Sequence, residues 1–514
     1  MRSDIGSGKQ SSITVTGKGV RKMKDTLIKI IRYFCLLCVI AFGLITIVGS
    51  NGGEDGGNGS TTDTTLPSVP AGLTATAVSS SQIDLSWTAS TDNVDVTGYK
   101  VYRDGSYLKS VTSTSTSDTG LSSSTQYCYT VTAYDTAGNE SNQSTQACAT
   151  TLLFPIATTA NMEMSISAAF DGTNWLVSIT GEQIAAQLVS QSGTLVENLI
   201  PISNIDGATR VGFDGTNYLL VYLDFTPSPN EIKGQFIDTS GSLVGTSFTI
   251  NTFNTDTAFS GLAYGGGNYF VVYYEEVDDA TSDSKVYGRI VGTDGTVSNE
   301  ITISSGFGDF GRDNVAFDGI NFLVVWTDDD NDYEVKGRFV SPTGVLGTEF
   351  SINASTYPSD NPLSVAFDGT NYLVVWCDMV GGYDSHEWDI FGQLVDASGN
   401  LVGGVISVST ATGHQSFPLI AFDGTNYLVV WTDGRNDAND HGVCDSGEGT
   451  CWDVYGQFIS TSGSLVGSEF SINSDAGNQL GAVSYGGGKY LVLVNNIDTF
   501  DGTVGDVYGM FITP

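Results

Sequence analysis

A motif that recurs seven times between residues 153 and 514 constrains the fold more than any other feature of this sequence. Its two clearest copies, from Val365 to Trp376 and from Ile420 to Trp431, differ only at their first position. The other copies contain a Phe-Asp-Gly or Tyr-Gly-Gly turn at residues 170–172, 213–215, 264–266, 317–319 and 485–487. Successive copies lie 43 to 63 residues apart, so each is long enough to form one unit of a repeat architecture.

Each copy contains four short segments that are predicted to be β-strands. The first ends at Phe-Asp-Gly, whose Asp-Gly pair forms a tight turn, and the second is typified by Asn-Tyr-Leu-Val-Val-Trp. The third follows a loop of variable length, and the fourth follows a Ser-Gly turn. Because the second strand is apolar on both faces, both faces need cover, which the blades of a propeller provide by stacking around a ring. We therefore predict a seven-bladed β-propeller over residues 153–514.

The two ends of the repeat region predict how the ring closes. The last copy stops at Pro514, directly after its third strand, so its fourth strand is missing. Residues 154–158 precede the first copy and resemble residues 470–473, which form a fourth strand. An N-terminal strand is therefore expected to complete the seventh blade. An open solenoid, the alternative architecture, needs no such strand.

Residues 67–152 show the alternating apolar positions of half-buried strands, and Trp87 is large enough to centre a two-sheet core. With Pro67 at the entry and Leu121 six residues before Tyr127, this segment resembles a fibronectin type III domain over its whole length. The resemblance implies a β-sandwich in which the Tyr127 hydroxyl closes onto nearby backbone, and a role as a spacer or an adhesive unit. The predicted fold class is all-β: a fibronectin type III β-sandwich plus a seven-bladed β-propeller closed by an N-terminal strand.

Residues 1–50 have the layout of an export signal, with a basic start, an apolar run from Leu27 to Val48 and small residues at its end. This segment is either a cleaved signal peptide or an uncleaved membrane anchor. The first translated residue is either Met1 or Met23, since a signal of ordinary length begins at Met23. The protein is therefore expected to be secreted or held at the cell surface.

The end of this segment is similar to a lipoprotein signal, but Ser50 replaces the lipidated Cys, which argues against lipidation. Residues 51–66, rich in Gly and Thr, are predicted to be a flexible linker. The chain has a formal net charge of −37. An acidic surface repels nucleic acid and anionic lipid, which leaves the N-terminal segment as the one expected membrane contact. We expect a monomer.

The cysteines agree with export to an oxidising compartment. Cys128 with Cys148 and Cys444 with Cys451 are local pairs that are expected to form disulfides. Cys377 lies inside an apolar strand, where a buried and unreactive thiol is expected.

The loops between the second and third strands of the repeats carry most of the acidic residues, and these loops share one rim of the predicted ring. Asp328, Asp330 and Asp332 alternate in the manner of a calcium-binding loop, and a long arm after the sixth copy contains Asp437 and Asp440. These five residues are the candidate calcium ligands. The alternative is a solvated acidic loop, since both runs lack the turn-forming Gly of a standard calcium loop.

Two further patterns on this rim suggest ligand-binding residues. Asp378 and Asp433 follow the tryptophan of the second strand, and Tyr333, Trp388 and Trp452 precede the third strand in three consecutive copies. Aromatic rings beside carboxylates could form a platform on which sugar rings stack. The alternatives are that the aspartates accept backbone N–H groups and that the aromatic rings cover the ends of the second-strand tryptophans.

No catalytic residue is assigned, because the sequence contains no Gly-x-Ser-x-Gly or His-Glu-x-x-His motif and its three histidines are scattered. The primary hypothesis is a secreted or cell-surface binding protein that recognises glycan or protein through the acidic loops, with calcium as the one candidate cofactor. The alternative is a secreted hydrolase acting on polysaccharides, because the fibronectin-like segment resembles modules that accompany such enzymes. A buried carboxylate pair in the central channel would favour the hydrolase.

Overall fold

The computed structural model describes residues 63–122, 125–157, 163–205, 207–226, 229–253, 257–278, 283–306, 308–309, 314–328, 334–353, 363–380, 387–435, 452–473, 478–497 and 505–514. Every regular element in these ranges is a β-strand, and none of them contains a helix long and apolar enough to cross a membrane. The export signal over residues 1–50 and most of the predicted linker lie outside the described residues.

The first seven strands form a two-sheet sandwich: β1 (Ala71–Ser79), β2 (Gln82–Thr88), β3 (Val96–Arg103), β4 (Ser106–Val111), β5 (Ser115–Thr119), β6 (Gln126–Asp135) and β7 (Ala147–Thr150). One sheet has the order β1-β2-β5, and the other has the order β4-β3-β6-β7. Trp87 is buried between them and meets the edge of Tyr99 with ring centres 5.4 Å apart. The predicted central tryptophan is therefore confirmed.

Two local features of this sandwich match the sequence predictions. The backbone N–H of Ser122 donates to the Tyr127 hydroxyl at 3.1 Å, which forms the tyrosine corner. Cys128 and Cys148 lie opposite each other on β6 and β7 and form a disulfide. The predicted partners Cys444 and Cys451 lie outside the described residues.

The remaining strands form seven antiparallel sheets, named here blades 1 to 7. They are, in blade 1, β9 (Glu163–Phe170), β10 (Asn174–Gly181), β11 (Ile184–Ser190) and β12 (Leu195–Ser203); in blade 2, β13 (Thr209–Phe213), β14 (Asn217–Asp224), β15 (Asn230–Asp238) and β16 (Leu243–Phe253); in blade 3, β17 (Thr257–Gly265), β18 (Asn268–Asp278), β19 (Asp283–Gly292) and β20 (Ile301–Thr302); in blade 4, β21 (Gly308–Asp309), β22 (Val315–Phe317), β23 (Phe322–Asp328), β24 (Glu334–Val340) and β25 (Leu346–Asn353); in blade 5, β26 (Leu363–Phe367), β27 (Asn371–Val380), β28 (Glu387–Asp396) and β29 (Leu401–Ser409); in blade 6, β30 (Gln415–Phe422), β31 (Asn426–Asp433), β32 (Asp453–Ser460) and β33 (Leu465–Asn473); and in blade 7, β34 (Asn478–Gly486), β35 (Lys489–Ile497), β36 (Gly505–Ile512) and β8 (Phe154–Ala157).

The blades stack because the second strand of each is apolar on both faces. All residues of β23 and nearly all of β31 are buried, and the main clusters of buried apolar side chains each span two adjacent blades. The first strands contact one another in order around the ring, and β34 of blade 7 contacts β9 of blade 1. The seven sheets therefore remain separate, and packing between them closes the circle.

A repeated hydrogen bond links successive blades. The tyrosine at the second position of the second strand donates its hydroxyl to the backbone oxygen of the equivalent Asn one blade earlier. The pairs are Tyr218 to Asn174, Tyr269 to Asn217, Tyr372 to Asn321, Tyr427 to Asn371 and Tyr490 to Asn426, at 2.9 to 3.3 Å. The motif Asn-Tyr thus stabilises contacts between blades as well as within them.

The Phe-Asp-Gly segment forms the tight turn that was predicted. In blade 5, the Asp368 carboxylate accepts the backbone N–H groups of Thr370 and Asn371, each at 2.7 Å. Gly369 has a φ of +96°, a conformation that favours glycine. These aspartates therefore stabilise the turns, at the end of the blades away from the acidic loops.

The N-terminal strand closes the seventh blade as predicted. Strand β8 pairs with β36, which places Phe154 opposite Gly509. The Phe154 ring lies 5.0 Å from the ring of Phe511, and Phe511 lies 5.3 Å from Trp175 of blade 1. The two ends of the repeat region therefore meet in one apolar cluster between blades 7 and 1.

Candidate functional site

An acidic residue lies at or near the end of the second strand in five consecutive blades, seven positions after the Asn of the repeated motif. These residues are Asp224, Glu275, Asp328, Asp378 and Asp433 in blades 2 to 6. Antiparallel pairing places the start of the third strand opposite each of them, so several blades hold two acidic side chains close together at this rim. What distinguishes the blades is how this negative charge is neutralised.

In blades 2 and 4, a lysine on the third strand neutralises the pair. Lys233 contacts Asp224 at 2.7 Å and Glu231 at 3.0 Å. Lys336 is similarly paired with Asp328, which is buried. The Asp328 carboxylate, predicted to bind calcium, therefore already contacts a cation. Its predicted co-ligands Asp330 and Asp332, and also Asp437 and Asp440, lie outside the described residues.

In blade 6, an arginine that follows the second strand neutralises the carboxylate. Arg435 donates to both carboxylate oxygens of the buried Asp433, from Nε at 2.8 Å and from a terminal nitrogen at 2.6 Å. Trp431 Nε1 donates to Asp433 at 2.8 Å, and the guanidinium lies 3.9 Å from the centre of the Tyr455 ring. Asp433 also accepts the backbone N–H of Arg435 at 2.9 Å. Its carboxylate therefore fixes the start of the loop at Arg435, the alternative that the sequence left open for this residue.

The same arginine is connected to blade 5 through Glu469 of blade 6. Arg435 also pairs with Glu469, which accepts the Ser409 hydroxyl at 2.9 Å. Burial alone would raise the pKa of Glu469, but the hydrogen bonds from Arg435 and Ser409 outweigh it and hold that pKa below its ordinary value.

Blade 5 is different, because Phe391 occupies the third-strand position that carries lysine in blades 2 and 4. Asp378 and Asp389 lie opposite each other on β27 and β28, and Glu387 lies two residues before Asp389. Asp389 is 8% exposed. Burial, followed by repulsion from Glu387 and Asp378, raises its pKa from 3.8 to about 6. The negative charge of Asp389 in blade 5 therefore lowers the free energy of unfolding.

This raised pKa predicts a pH dependence of stability. The folded protein binds the Asp389 proton more tightly than the unfolded chain does, so this contribution favours folding at low pH and is lost as the pH rises through about 6. Between pH 5 and pH 8, the wild type should lose about 1 kcal/mol that Asp389→Asn does not lose. Thermal unfolding at both pH values measures the difference. Asp453→Asn, at the equivalent position of blade 6, is the control, and equal pH dependence of Asp389→Asn and wild type would contradict the assignment.

A row of three aromatic rings lies on the face of blade 5 opposite this group, toward blade 6. The His414 ring is between two tryptophans, with ring centres 5.3 Å from Trp388 and 5.4 Å from Trp452. His414 also pairs with Trp388 through a backbone bridge that joins blade 6 to blade 5. All three side chains are half-buried. The structure therefore brings Trp388 and Trp452 to one place, with His414 between them.

Trp388 also packs against the apolar cluster that contains Trp431, so one part of its ring covers the core and the rest remains accessible. The third predicted aromatic, Tyr333, lies outside the described residues. His414 was not predicted to belong to a site, because in the sequence it is one of three scattered histidines. Its position just before the first strand of blade 6 was the signal, because connections between blades share a rim with the acidic loops.

Cys377 lies in the same blade, and its thiol is buried. Burial raises the pKa of Cys377 to about 12, so the thiol stays protonated and unreactive at neutral pH, as the sequence predicted. The backbone N–H of Phe417, an exposed residue in β30 with a φ of +53°, interacts with this thiol. Phe417 is therefore an exposed aromatic residue near blade 5 that the sequence patterns did not single out.

The arrangement suits carbohydrate recognition. Aromatic faces stack on the apolar faces of sugar rings, and carboxylates accept hydrogen bonds from sugar hydroxyls. Two facing carboxylates, one of raised pKa, are also the groups that glycoside hydrolysis uses. However, Asp378 and Asp389 are on the second and third strands of blade 5, whereas the first strands contact one another around the centre of the ring. The pair is therefore displaced from the central channel.

Comparisons with known proteins identify one part of the chain. The fibronectin type III domain model matches residues 68–147, which confirms that module. The chain is 49% identical over 79 residues to Chitinase Chi52 of Paenibacillus xylanexedens, covering 15% of each protein. It is 54% identical over 74 residues to Exoglucanase B of Cellulomonas fimi, covering 14% of this chain and 7% of that protein. The chain thus spans less than a sixth of either relative's length.

Among solved structures, the β-propeller domain of the Trilobed protease from Pyrococcus furiosus is similar to this chain. The identity is 10% and the TM-score is 0.41, over 68% of this chain and 95% of that domain.

Proposed function

We propose that this chain is a secreted or cell-surface protein that binds carbohydrate at the rim of blades 5 and 6. The observation that carries the proposal is the aromatic row Trp388–His414–Trp452, which joins blades 5 and 6 at the rim. In blades 2, 4 and 6, lysine or arginine contacts the acidic residue of the second strand. Blade 5 has Trp388 on the face toward blade 6 and Asp378 and Asp389 on its other face.

The recognition chemistry follows from these groups. A pyranose ring has apolar C–H faces that stack on tryptophan, and its equatorial hydroxyls point sideways toward acceptors. The half-buried rings are held by core packing and by the backbone bridge at His414, so little side-chain entropy is lost on binding. A preorganised platform of this kind favours a polysaccharide over a disordered protein segment. If no polysaccharide binds, the ligand is instead expected to be a protein at the cell surface.

The fibronectin type III domain supports an extracellular location. The relatives that match this chain over about the length of one module are named as a chitinase and an exoglucanase, enzymes of polysaccharides. We infer that the module serves as a spacer here as well, between the exported N-terminal segment and the propeller. In this proposal the propeller carries recognition, and the sandwich holds it away from its point of attachment.

Replacing either tryptophan of the row should weaken polysaccharide binding. We expect Trp388→Ala and Trp452→Ala each to reduce affinity at least tenfold, about 1.4 kcal/mol, because each removes stacking surface. Depletion from solution by insoluble chitin, cellulose and starch identifies the bound polysaccharide and gives the affinity. Phe225→Ala is the matched control, since Phe225 is an exposed aromatic at the same rim in blade 2. Unchanged affinity in both tryptophan variants, with unfolding temperatures near that of the wild type, would refute the proposed site.

One observation favours a second candidate, a polysaccharide hydrolase. Asp389 has a pKa raised to about 6 and faces Asp378, so an acid that is protonated below about pH 6 and a second carboxyl group lie on neighbouring strands. In that reading Asp389 donates a proton to the leaving oxygen and Asp378 acts as base or nucleophile. We place this function second because the pair lies away from the centre of the ring.

A further inference from the structure

Three carboxylates converge at one end of the fibronectin type III domain, and none of them is among the residues that the sequence patterns assigned to metal. Asp63 precedes β1, Asp92 lies in the loop between β2 and β3, and Asp135 is the last residue of β6. One oxygen atom from each of the three lies within 4.8 Å of the others. Segments distant in sequence therefore bring three negative charges into a space that would hold one ion.

The second observation is independent of this clustering. Asp63 Oδ2 and Asp92 Oδ1 are shielded from solvent and accept no hydrogen bond. An ionised oxygen in that condition costs free energy unless a cation contacts it. Asp135 is 3% exposed, so the third carboxylate is also removed from water.

The other oxygens explain why the side chains are held in these positions. Asp63 Oδ1 accepts the backbone N–H of Thr65 at 3.0 Å, and Asp92 Oδ2 accepts that of Val94 at 2.9 Å. Each carboxylate therefore has one oxygen fixed by the protein and one oxygen left for another partner. Asp135 accepts the backbone and side-chain N–H groups of Asn139 at 2.8 and 2.7 Å.

Positive charge is missing from this end of the sandwich. Among the described residues, the ion pairs of the module are Lys100 with Glu140 and Arg103 with Asp118, and neither involves the cluster. This contrasts with blades 2, 4 and 6 of the propeller, where lysine or arginine contacts the buried carboxylates. The charge that the cluster needs must come from outside the chain.

We propose that Asp63, Asp92 and Asp135 bind a calcium ion. Calcium takes six to eight oxygen ligands in flexible geometry, and water completes a set that begins with three carboxylates. Magnesium requires a nearly ideal octahedron and keeps most of its waters, which suits this site less because two of the carboxylate oxygens are shielded from solvent.

The position of Asp63 gives the ion a mechanical role. Asp63 belongs to the segment that was predicted to be the flexible linker over residues 51–66, and its backbone oxygen accepts the Asn139 side-chain N–H at 3.0 Å. A bound ion connects that segment to the β2–β3 loop and to β6. Calcium therefore fixes the point at which the predicted linker enters the module. This inference is independent of carbohydrate binding by the propeller.

The test uses the full chain after removal of metal by a chelator. Isothermal titration with CaCl2 should show a site with a dissociation constant of about 10⁻³ M or tighter, the range of extracellular modules and stronger sites. Asp92→Asn should weaken that site at least tenfold. Asp104→Asn, an exposed aspartate of the same module, should leave it unchanged. Asp92 is replaced instead of Asp135 because Asp135 also orders Asn139. Replacing Asp135 would therefore disturb the fold as well as the site.

Calorimetric unfolding provides the second readout. Calcium should raise the unfolding temperature of the fibronectin type III domain in wild type and Asp104→Asn, and the rise should be lost in Asp92→Asn. Absence of a calcium-dependent rise in the wild type would overturn the proposal. So would an Asp92→Asn variant that binds calcium as the wild type does, because the ion would then bind elsewhere, or an equal response to MgCl2.

Discussion

Phe154→Ala is expected to destabilise the propeller by about 3–5 kcal/mol, the cost of removing a large aromatic side chain from a packed core. Phe154 is 3% exposed, and its ring covers Gly509 and lies 5.0 Å from Phe511. The same cluster contains Trp175 of blade 1, so the cavity forms where the ring closes. Calorimetry should show the propeller transition falling by at least about 5 °C.

Two variants separate ring closure from a general loss of apolar surface. Phe154→Leu keeps most of the buried volume and should cost about 1 kcal/mol. Phe225→Ala removes an aromatic ring of blade 2 that is 50% exposed, and we expect a change within about 0.5 kcal/mol. If Phe154→Ala behaved like Phe225→Ala, the N-terminal strand would not hold the ring closed, and the pairing of β8 with β36 would contribute no stability.

Arg435→Met should cost about 3–5 kcal/mol, the range for breaking a buried ion pair by removing one partner. The guanidinium donates to both oxygens of Asp433, whose side chain is fully buried, and also contacts Glu469. Methionine keeps much of the side-chain volume over Tyr455 but leaves two carboxylates without their counter-ion. Chemical denaturation followed by tryptophan fluorescence measures the loss, since Trp431 donates to the same carboxylate.

A double-mutant cycle identifies the cause of that loss. Arg435→Met combined with Asp433→Asn should recover a large part of the stability, because the amide leaves no buried charge. Arg435→Lys keeps the charge but not the two-pronged geometry, so an intermediate loss is expected. If the double variant were less stable than Arg435→Met, the arginine would act through packing on Tyr455 and not through charge.

The fold could be predicted from the sequence because its determinants are local and repeated. Apolar residues on both faces of Asn-Tyr-Leu-Val-Val-Trp demand neighbours on both sides, and the Asp-Gly turn fixes where each strand ends. The missing fourth strand after Pro514 and the similar segment at Phe154 were sufficient to predict closure. In the sandwich, Trp87 and Tyr127 identified the core and the corner for the same reason.

The candidate sites were less accessible to prediction because they depend on which side chains meet. Asp328, Asp378 and Asp433 are equivalent in sequence, and what separates them is the residue at one third-strand position or in one loop: Lys336, Phe391 or Arg435. The row Trp388–His414–Trp452 joins two blades, so its histidine could not be paired with the tryptophans without the ring. The cluster of Asp63, Asp92 and Asp135 joins residues up to 72 positions apart, with no repeat to signal it.

The central claim is that the rim of blades 5 and 6 binds a polysaccharide without cleaving it. The most direct measurement incubates the full chain with insoluble chitin, cellulose and starch and records both the protein retained and the soluble sugar released over time. We predict retention on at least one of these polysaccharides, with no more sugar released by the wild type than by Asp389→Asn. Sugar release that Asp389→Asn abolishes would show a hydrolase, and absence of retention on all three would contradict carbohydrate binding at this rim.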